Sequence, residues 1–285
     1  MKKMTILGGD LRTIELAKMF LQNGNSIASF GIDFLDKIKE NDNLIKCNTL
    51  EEAIQFSNII ITPIPFSKDG ETLFSNLNEE VIKIDDLLKE NISKILIGGN
   101  IPKKILKELE QNYKTVYDLM DFEKLVIYNT IATAEGTIKE AITNTDITIQ
   151  NSNILILGFG RVAKEVALKF KALGANVTCS ARKESDLAWI KVLGYNLLNI
   201  NYLKGKISNY DIIINTVPSM ILDKEELSEL NKNTLIIDLA SRPGGVNFEI
   251  AKQIGIKYVW ALALPGRIAP KTSAEYIKEC INDII

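Results

Sequence analysis

A glycine-rich turn in the second half of the chain carries the clearest chemical signal. Gly158, Gly160 and Ala163 form a GxGxxA pattern between a short apolar strand and an amphipathic helix. The first glycine permits a tight turn, the second lets the backbone approach a pyrophosphate, and the small third residue allows close packing of helix and strand. The helix N-terminus attracts phosphates. The pattern predicts a dinucleotide site whose cradle is formed by Gly158, Phe159, Gly160, Arg161 and Val162.

The residues at the end of the next strand indicate which dinucleotide binds. An NAD site usually has an acidic residue there for the ribose hydroxyls, whereas this sequence has Ser180, Arg182 and Lys183. Because arginine can bind a phosphate through two parallel hydrogen bonds, we predict that these three residues hold the 2′-phosphate of NADP. The alternative is that Arg182 and Lys183 only begin a solvated helix.

The same order of elements occurs near the start of the chain, with a substitution that changes its chemistry. Segments 6–30 and 156–180 each predict a strand, a glycine turn, a helix, a glycine stop and a second strand. Asp10 stands where the later copy has Gly160, and its carboxylate would repel a pyrophosphate. We expect the first copy to keep the fold without the dinucleotide, although Asp33 after its second strand would favour NAD there.

Residue counts limit the groups available for catalysis. The 285 residues include no histidine, the commonest general base and a frequent metal ligand, and we expect no metal site. Three distant cysteines (Cys47, Cys179 and Cys280) predict free thiols in a reducing compartment. The net charge of −2 argues against nucleic acid or a membrane surface as a partner. Without a signal-peptide or membrane-spanning pattern, we expect a cytoplasmic protein.

The scarce arginines occur at the ends of predicted strands or in the glycine turn. Ligands of parallel α/β sheets bind beyond the carboxyl ends of the strands. Several of these loops are also rich in proline and glycine, and we expect them to converge on one cleft between two domains. The arginines are Arg12, Arg161, Arg182, Arg242 and Arg267.

The sequence predicts an α/β fold. Short apolar segments typical of strands alternate with segments typical of helices in both halves of the chain. We expect two doubly wound, Rossmann-like domains with parallel sheets, linked by helices, with the cleft between them. The predicted division is a substrate domain over 1–120, a connecting helical segment over 121–150, an NADP-binding domain over 151–268, and a C-terminal helix over 269–285 that packs on the first domain. Within the connecting segment we predict a helix over 121–144 with a break near 128–133.

Five further segments have distinctive sequences: YNTIATAEGTIKEAI at 128–142, the glycine-turn helix through LGANV, NTVPSMIL at 215–222, DLASRPGG at 238–245 and LPGRIAPKT at 264–272. These segments resemble the dipicolinate synthase A-subunit family. Together with GGDLR at 8–12, they extend the resemblance over essentially the whole chain. The resemblance implies NADP-dependent oxidation of dihydrodipicolinate to dipicolinate (pyridine-2,6-dicarboxylate) in the mother cell of a sporulating bacterium. It also implies a partner, a flavoprotein-like B subunit, and leaves open whether the chain forms a homo-oligomer.

The resemblance also suggests roles for individual residues. A dicarboxylate needs cations and hydrogen-bond donors, and the expected substrate contacts are Arg12, Asn100, Thr133, Arg242 and Lys271. The residues expected to border the nicotinamide are Thr216, Val217, Pro218, Ala240 and Leu264. The candidates for a catalytic proton acceptor are Lys271, Glu135 and Asp10, or solvent.

Two other functions are compatible with the sequence. One is a different NADP-dependent dehydrogenase of the shikimate or hydroxyacid type. The missing histidine argues against the hydroxyacid type, and no clear Lys–Asp pair supports the shikimate type. The other is a non-catalytic NADP-binding regulatory subunit, which would bind the cofactor without turnover.

Overall fold

The computed structural model describes residues 1–34, 38, 41–78, 80–89 and 91–285, with only the backbone of 91 and 92. The strands are β1 (Lys3–Leu7), β2 (Ser26–Phe30), β3 (Leu44–Lys46), β4 (Ile59–Ile61), β5 (Asn91–Gly98), β6 (Tyr113–Asp118), β7 (Asn153–Leu157), β8 (Asn176–Ala181), β9 (Asn196–Asn199), β10 (Ile212–Asn215), β11 (Leu235–Asp238) and β12 (Lys257–Trp260). The helices are α1 (Leu11–Gln22), α2 (Leu50–Phe56), α3 (Ile84–Leu87), α4 (Lys103–Asn112), α5 (Glu123–Asn144), α6 (Arg161–Ala172), α7 (Glu184–Val192), α8 (Lys224–Ser228), α9 (Phe248–Ile254), α10 (Leu264–Ile268) and α11 (Pro270–Asn282).

The described strands form two parallel sheets of six strands each. The first has the order β3-β2-β1-β4-β5-β6, and the second has the order β12-β11-β10-β7-β8-β9. Read from its other edge, the second order repeats the first. In both sheets the strand that precedes the glycine turn is one of the two central strands. It is β1, which pairs with β4, in the first sheet, and β7, which pairs with β10, in the second. The prediction of two doubly wound α/β domains is confirmed.

The chain divides into two compact domains. The first domain comprises Met1–Tyr128 and Ala269–Ile285, and the second comprises Asn129–Ile268. The C-terminal segment belongs to the first domain because α11 packs against α1. Ile277 and Ile281 of α11 are buried in one apolar cluster with Ile14 of α1.

Burial on both sheet faces explains why the central strands are almost wholly apolar. Residues 154–157 of β7 are fully buried, and their side chains alternate between two separate core clusters. A strand that is covered by helices on both faces needs a continuous apolar run rather than alternation. At the helix ends, Gly24 and Gly174 adopt left-handed φ values of 76° and 82°. A left-handed glycine typically follows the last helical turn.

The predicted break near 128–133 is wrong, because α5 is a single 22-residue helix. The segment has no proline, so nothing removes a backbone donor. The Thr133 hydroxyl donates to the Asn129 carbonyl at 2.8 Å, and the Thr137 hydroxyl donates to the Thr133 carbonyl at 2.7 Å. These bonds satisfy the threonine hydroxyls within the helix, where they would otherwise compete with its backbone.

Candidate functional site

The glycine turn of the second domain has the geometry that a dinucleotide needs. Gly158 has φ 98°, and a Cβ added to it would lie 2.5 Å from Thr216 Oγ1. Only glycine therefore fits where β7 meets the loop after β10. Gly160 is the N-cap of α6 and has no side-chain cap, and the first turn of α6 carries no acidic residue. Among the described residues, no heavy atom lies within 4 Å of a Cβ added at Gly160. The open helix N-terminus fits a pyrophosphate.

The residues around Gly160 contribute in different ways. The Phe159 side chain is buried, and its ring meets that of Tyr195 edge-on with centroids 6.5 Å apart. Only the backbone of Phe159 is therefore available to the predicted phosphate cradle. Val162 is half-buried against the core cluster that contains Ala163, whereas Arg161 is exposed at the start of α6.

The corresponding turn of the first domain is closed by its own side chain. Asp10 is the N-cap of α1: its Oδ1 accepts from the Arg12 amide at 3.0 Å, and Thr13 completes a capping box. The Arg12 guanidinium also binds the same carboxylate, with Nη2 2.7 Å from Oδ2. Asp10 therefore occupies the helix N-terminus that Gly160 leaves open. The carboxylate and its arginine fill the place where a phosphate would bind.

Arg12 is fixed at the edge of a small pocket in the first domain. The side chain is 9% exposed, and besides Asp10 it donates to the Ile64 carbonyl. The pocket is lined by Arg12, by Thr62 and Pro63 of the loop after β4, and by Ile277 of α11. Lys271 is exposed in the first turn of the same helix.

Asn100, the other predicted substrate contact of the first domain, lies after β5 in a left-handed conformation with φ 54°. The carboxylate of Asp118 holds this turn, because Oδ1 accepts from the Asn100 amide at 2.8 Å and Oδ2 accepts from the Ile101 amide at 2.7 Å. The Asn100 side chain is exposed. Asp118 was not identified from the sequence, although its position at the end of β6 was a usable signal.

The end of β8 separates the predicted 2′-phosphate residues into two groups. Ser180 is fully buried, and its hydroxyl donates to the Ile156 carbonyl at 3.2 Å. Arg182 and Lys183 are exposed after the strand ends, and Lys183 is the N-cap of α7. The placement favours Arg182 and Lys183 over Ser180 as ligands of an exposed phosphate.

The loops after β10 and β11 contain most of the residues predicted to border the nicotinamide. The Thr216 hydroxyl donates to the Leu157 carbonyl at 2.8 Å, so this loop is tied to the strand before the glycine turn. Pro218 is exposed, and Val217 is half-buried. Ala240 follows β11 and is buried, as is Leu264 at the start of α10.

The two predicted site residues on α5 have partners within the second domain. The Thr133 hydroxyl is engaged by the Asn129 carbonyl, as described above. Glu135 is exposed and forms an ion pair with Lys169 of α6, with Oε1 and Nζ 3.3 Å apart. Of the three proton-acceptor candidates, Asp10 and Glu135 therefore each hold a cation.

The cysteines offer no obvious alternative nucleophile. Cys179 and Cys280 are buried, and Cys47 is half-buried. Burial raises the pKa of the Cys179 thiol to about 12, and it also raises the pKa values of the Cys47 and Cys280 thiols. In the described ranges, no group of three or more acidic or cysteine side chains is arranged to hold a metal ion. Within the same ranges, no helix has the length and apolarity needed to cross a bilayer.

Sheet order and glycine turn together define a dehydrogenase-type protein with a domain for a nicotinamide cofactor. The family described as "D-isomer specific 2-hydroxyacid dehydrogenase, NAD binding domain" matches residues 119–247. The family described as the N-terminal domain of the dipicolinate synthase A subunit matches residues 3–120.

Similarity over the full length is more specific. The dipicolinate synthase A subunit of Bacillus subtilis (strain 168) is 37% identical over 286 residues, which cover 99% of this chain and 95% of that protein. The crystal structure of the same Bacillus subtilis protein has a TM-score of 0.87 at 35% identity, covering 99% of this chain and 95% of that one. The crystal structure of the A subunit from Bacillus halodurans has a TM-score of 0.90 at 31% identity, covering 99% and 97%. The chain belongs to the dipicolinate synthase A-subunit family, and the resemblance seen in the sequence is confirmed.

Proposed function

We propose that this protein oxidises dihydrodipicolinate to dipicolinate with NADP as the hydride acceptor. Family membership supports the choice of reaction. The observation that carries the proposal is the contrast between the two glycine turns. The turn at Gly160 is open for a pyrophosphate, whereas the turn at Asp10 is closed by a carboxylate that holds Arg12. One copy of the fold is thus suited to a dinucleotide and the other is not.

The reaction removes a hydride and a proton from the dihydropyridine ring, which becomes aromatic. When bound, the nicotinamide ring of NADP accepts the hydride. Aromatisation favours the loss of both, so the protein mainly has to position the ring and hold its two carboxylates. Arg12, Arg242 and Lys271 would supply the cations for those carboxylates, with Asn100 and Thr133 as polar contacts. The proton would pass to Lys271 or to solvent, because Asp10 and Glu135 are engaged in ion pairs.

On the cofactor side, backbone amides at the start of α6 would bind the pyrophosphate, and Arg182 with Lys183 would bind the 2′-phosphate. Thr216, Val217 and Pro218 would border the nicotinamide. Because the relatives are named as A subunits, we also propose that this chain works with a B subunit. The place of action would be the cytoplasm of the sporulating mother cell.

The proposed reaction can be tested by a coupled absorbance assay. The purified chain is given fresh dihydrodipicolinate and NADP, with and without the B subunit, and both NADPH and dipicolinate are followed. Equal amounts of the two products are expected. Tight NADPH binding with no dipicolinate under either condition would contradict the reaction and favour a cofactor-binding subunit. Turnover of a different hydroxyacid or shikimate-type substrate would favour another dehydrogenase.

Cofactor choice leads to a prediction for Arg182 and Lys183. Replacing both with glutamine should weaken NADPH binding roughly 10–100-fold, because the charged hydrogen bonds of these two solvent-exposed side chains together contribute about 1.5–3 kcal/mol. NADH, which lacks the 2′-phosphate, should bind as before. The measurement is titration of both reduced cofactors by their fluorescence. Lys191→Gln, which removes an exposed cation at the other end of α7, is the control. Equal losses for NADPH and NADH would contradict the assignment.

A further inference from the structure

Two buried polar side chains meet at the carboxyl ends of β10 and β11 in the second domain. Asn215 and Asp238 are each 0% exposed, and Asn215 Nδ2 donates to Asp238 Oδ1 at 2.8 Å. A buried carboxylate is costly unless hydrogen-bond donors surround it. The other partners of this pair lie in the two loops that follow these strands.

The Asp238 carboxylate closes the loop that carries Arg242. The Ala240 amide donates to Oδ1 at 2.9 Å, and the Gly245 amide donates to Oδ2 at 2.8 Å. One side chain thereby fixes both ends of the segment 240–245. The fit is tight, because a Cβ added to Gly244 would lie 3.0 Å from Asp238 Oδ2.

The Asn215 amide fixes the neighbouring loop in a similar way. Its Oδ1 accepts from the Val217 amide at 3.1 Å, and its Nδ2 donates to the Val217 carbonyl at 3.0 Å. The same Nδ2 donates to Asp238. The pair therefore links the loop 216–218 to the loop 240–245 through a single nitrogen. A hydrogen-bond network whose members are all satisfied holds its parts rigidly.

Trp260 supports the second loop from β12. Its indole Nε1 donates to the Ala240 carbonyl at 3.0 Å, and its ring stacks near Phe248 with centroids 4.9 Å apart. The Arg242 guanidinium lies 5.8 Å from the centre of the Trp260 ring. Arg242 is exposed, and among the described residues it has no carboxylate partner. Its position therefore depends mainly on the loop that Asp238 closes.

We propose that Asp238 and Asn215 are positioning residues, which hold Arg242 and the loop 216–218 in the arrangement that binds substrate and nicotinamide. The inference rests on the proposed function only for the identity of what these loops bind. Asp238 would act through the backbone of 240–245, and Asn215 through that of 216–218. Neither side chain would touch the substrate, because both are buried.

The test uses Trp260 as a reporter of the loop in the full-length chain. The sequence has two tryptophans, and Trp189 on α7 is 56% exposed and far in sequence from these loops. Trp189→Phe leaves Trp260 as the only tryptophan, whose emission is excited selectively at wavelengths that tyrosine does not absorb. In that background, Asp238→Asn puts an amide donor where the carboxylate accepted three hydrogen bonds. Asp211→Asn is the matched control, because Asp211 accepts from the Asn153 amide at 2.8 Å at the opposite end of the same sheet.

Asp238→Asn should shift the Trp260 emission to longer wavelength and make it easier to quench with acrylamide. It should also weaken the binding of dipicolinate, measured by calorimetry, by about tenfold or more. Asp211→Asn should leave both quantities unchanged. If Asp238→Asn does not fold, Asn215→Ala keeps the two backbone donors to Asp238. That variant should weaken NADPH binding while leaving the Trp260 emission close to its original position.

The outcomes separate the positioning role from the proposed reaction. If the emission of Trp260, its quenching and the affinity for dipicolinate are all unchanged in Asp238→Asn, the positioning role is overturned. The same holds if Asp211→Asn shifts both quantities equally, because a general loss of stability would then explain the effect. If the protein without a substitution at Asp238 binds no dipicolinate, the proposed substrate is wrong. The Trp260 emission then decides on its own whether Asp238 holds the loop.

Discussion

Gly160→Asp should abolish binding of the dinucleotide without destabilising the fold. The substitution gives the second domain the residue that the first domain has at Asp10. A carboxylate about 4 Å from a phosphate costs roughly 4 kcal/mol at an effective dielectric constant of about 20, which corresponds to about a thousandfold loss of affinity. NADPH fluorescence titration measures the loss.

The fold should tolerate this change because the position accepts a side chain. The φ of Gly160 is −79°, and no described heavy atom lies within 4 Å of an added Cβ. Aspartate is also a good N-cap, so the melting temperature should stay the same or rise slightly. Gly160→Asn is the matched control. Its side chain also obstructs the approach of the pyrophosphate to the backbone but carries no charge, so it should lose less affinity than Gly160→Asp. Unchanged NADPH affinity in Gly160→Asp would place the cofactor elsewhere.

Arg242→Gln should produce the largest loss of affinity on the substrate side. A guanidinium that binds a carboxylate through two charged hydrogen bonds contributes about 1.5–3 kcal/mol, so we expect a roughly 10–100-fold rise in KM for the dicarboxylate. Stability should change little, because the side chain is exposed and its contact with the Trp260 ring contributes about 0.5–1 kcal/mol at most.

Two matched variants make this result specific. Arg267→Gln removes another exposed arginine of the second domain, which pairs with Glu140 at 3.4 Å, and should leave KM unchanged. Arg242→Lys keeps the charge without the planar pair of donors. Its KM should lie between that of the unsubstituted protein and that of Arg242→Gln. Equal effects of Arg242→Gln and Arg267→Gln would indicate a general electrostatic attraction and would contradict a direct contact.

The central elements were predictable because each satisfied a local rule. The strands β4, β10 and β11 are short apolar runs (III at 59–61, III at 212–214 and LII at 235–237), which is the pattern of strands buried on both faces. The helix α7 was expected only in the alternative interpretation of Arg182 and Lys183, because its apolar residues do not form one stripe. Leu187 and Ile190 are buried, whereas Trp189 and Val192 are exposed. The short edge strands β3 and β9 were not predicted, since their residues have no continuous apolar run.

The candidate site was predictable in its glycine chemistry and much less so in its side-chain partners. Gly158 and Gly160 are identified by their spacing, because the turn constrains the backbone locally. The burial of Ser180 depends instead on its pairing with β7. The ion pair of Glu135 depends on where α6 lies beside α5.

The sequence alone determined that this protein has two copies of a doubly wound α/β unit, and it predicted that only the second copy is suited to a dinucleotide. Those conclusions follow from periodicity, glycine spacing and one exchange of glycine for aspartate, all of which are local. The tertiary structure alone decided which polar groups are already engaged. Asn215 and Asp238 are 23 residues apart in sequence, and they meet only because β10 and β11 are neighbours in the sheet. Hydrogen bonds between such distant residues depend on strand register and packing, which spacing along the chain does not encode.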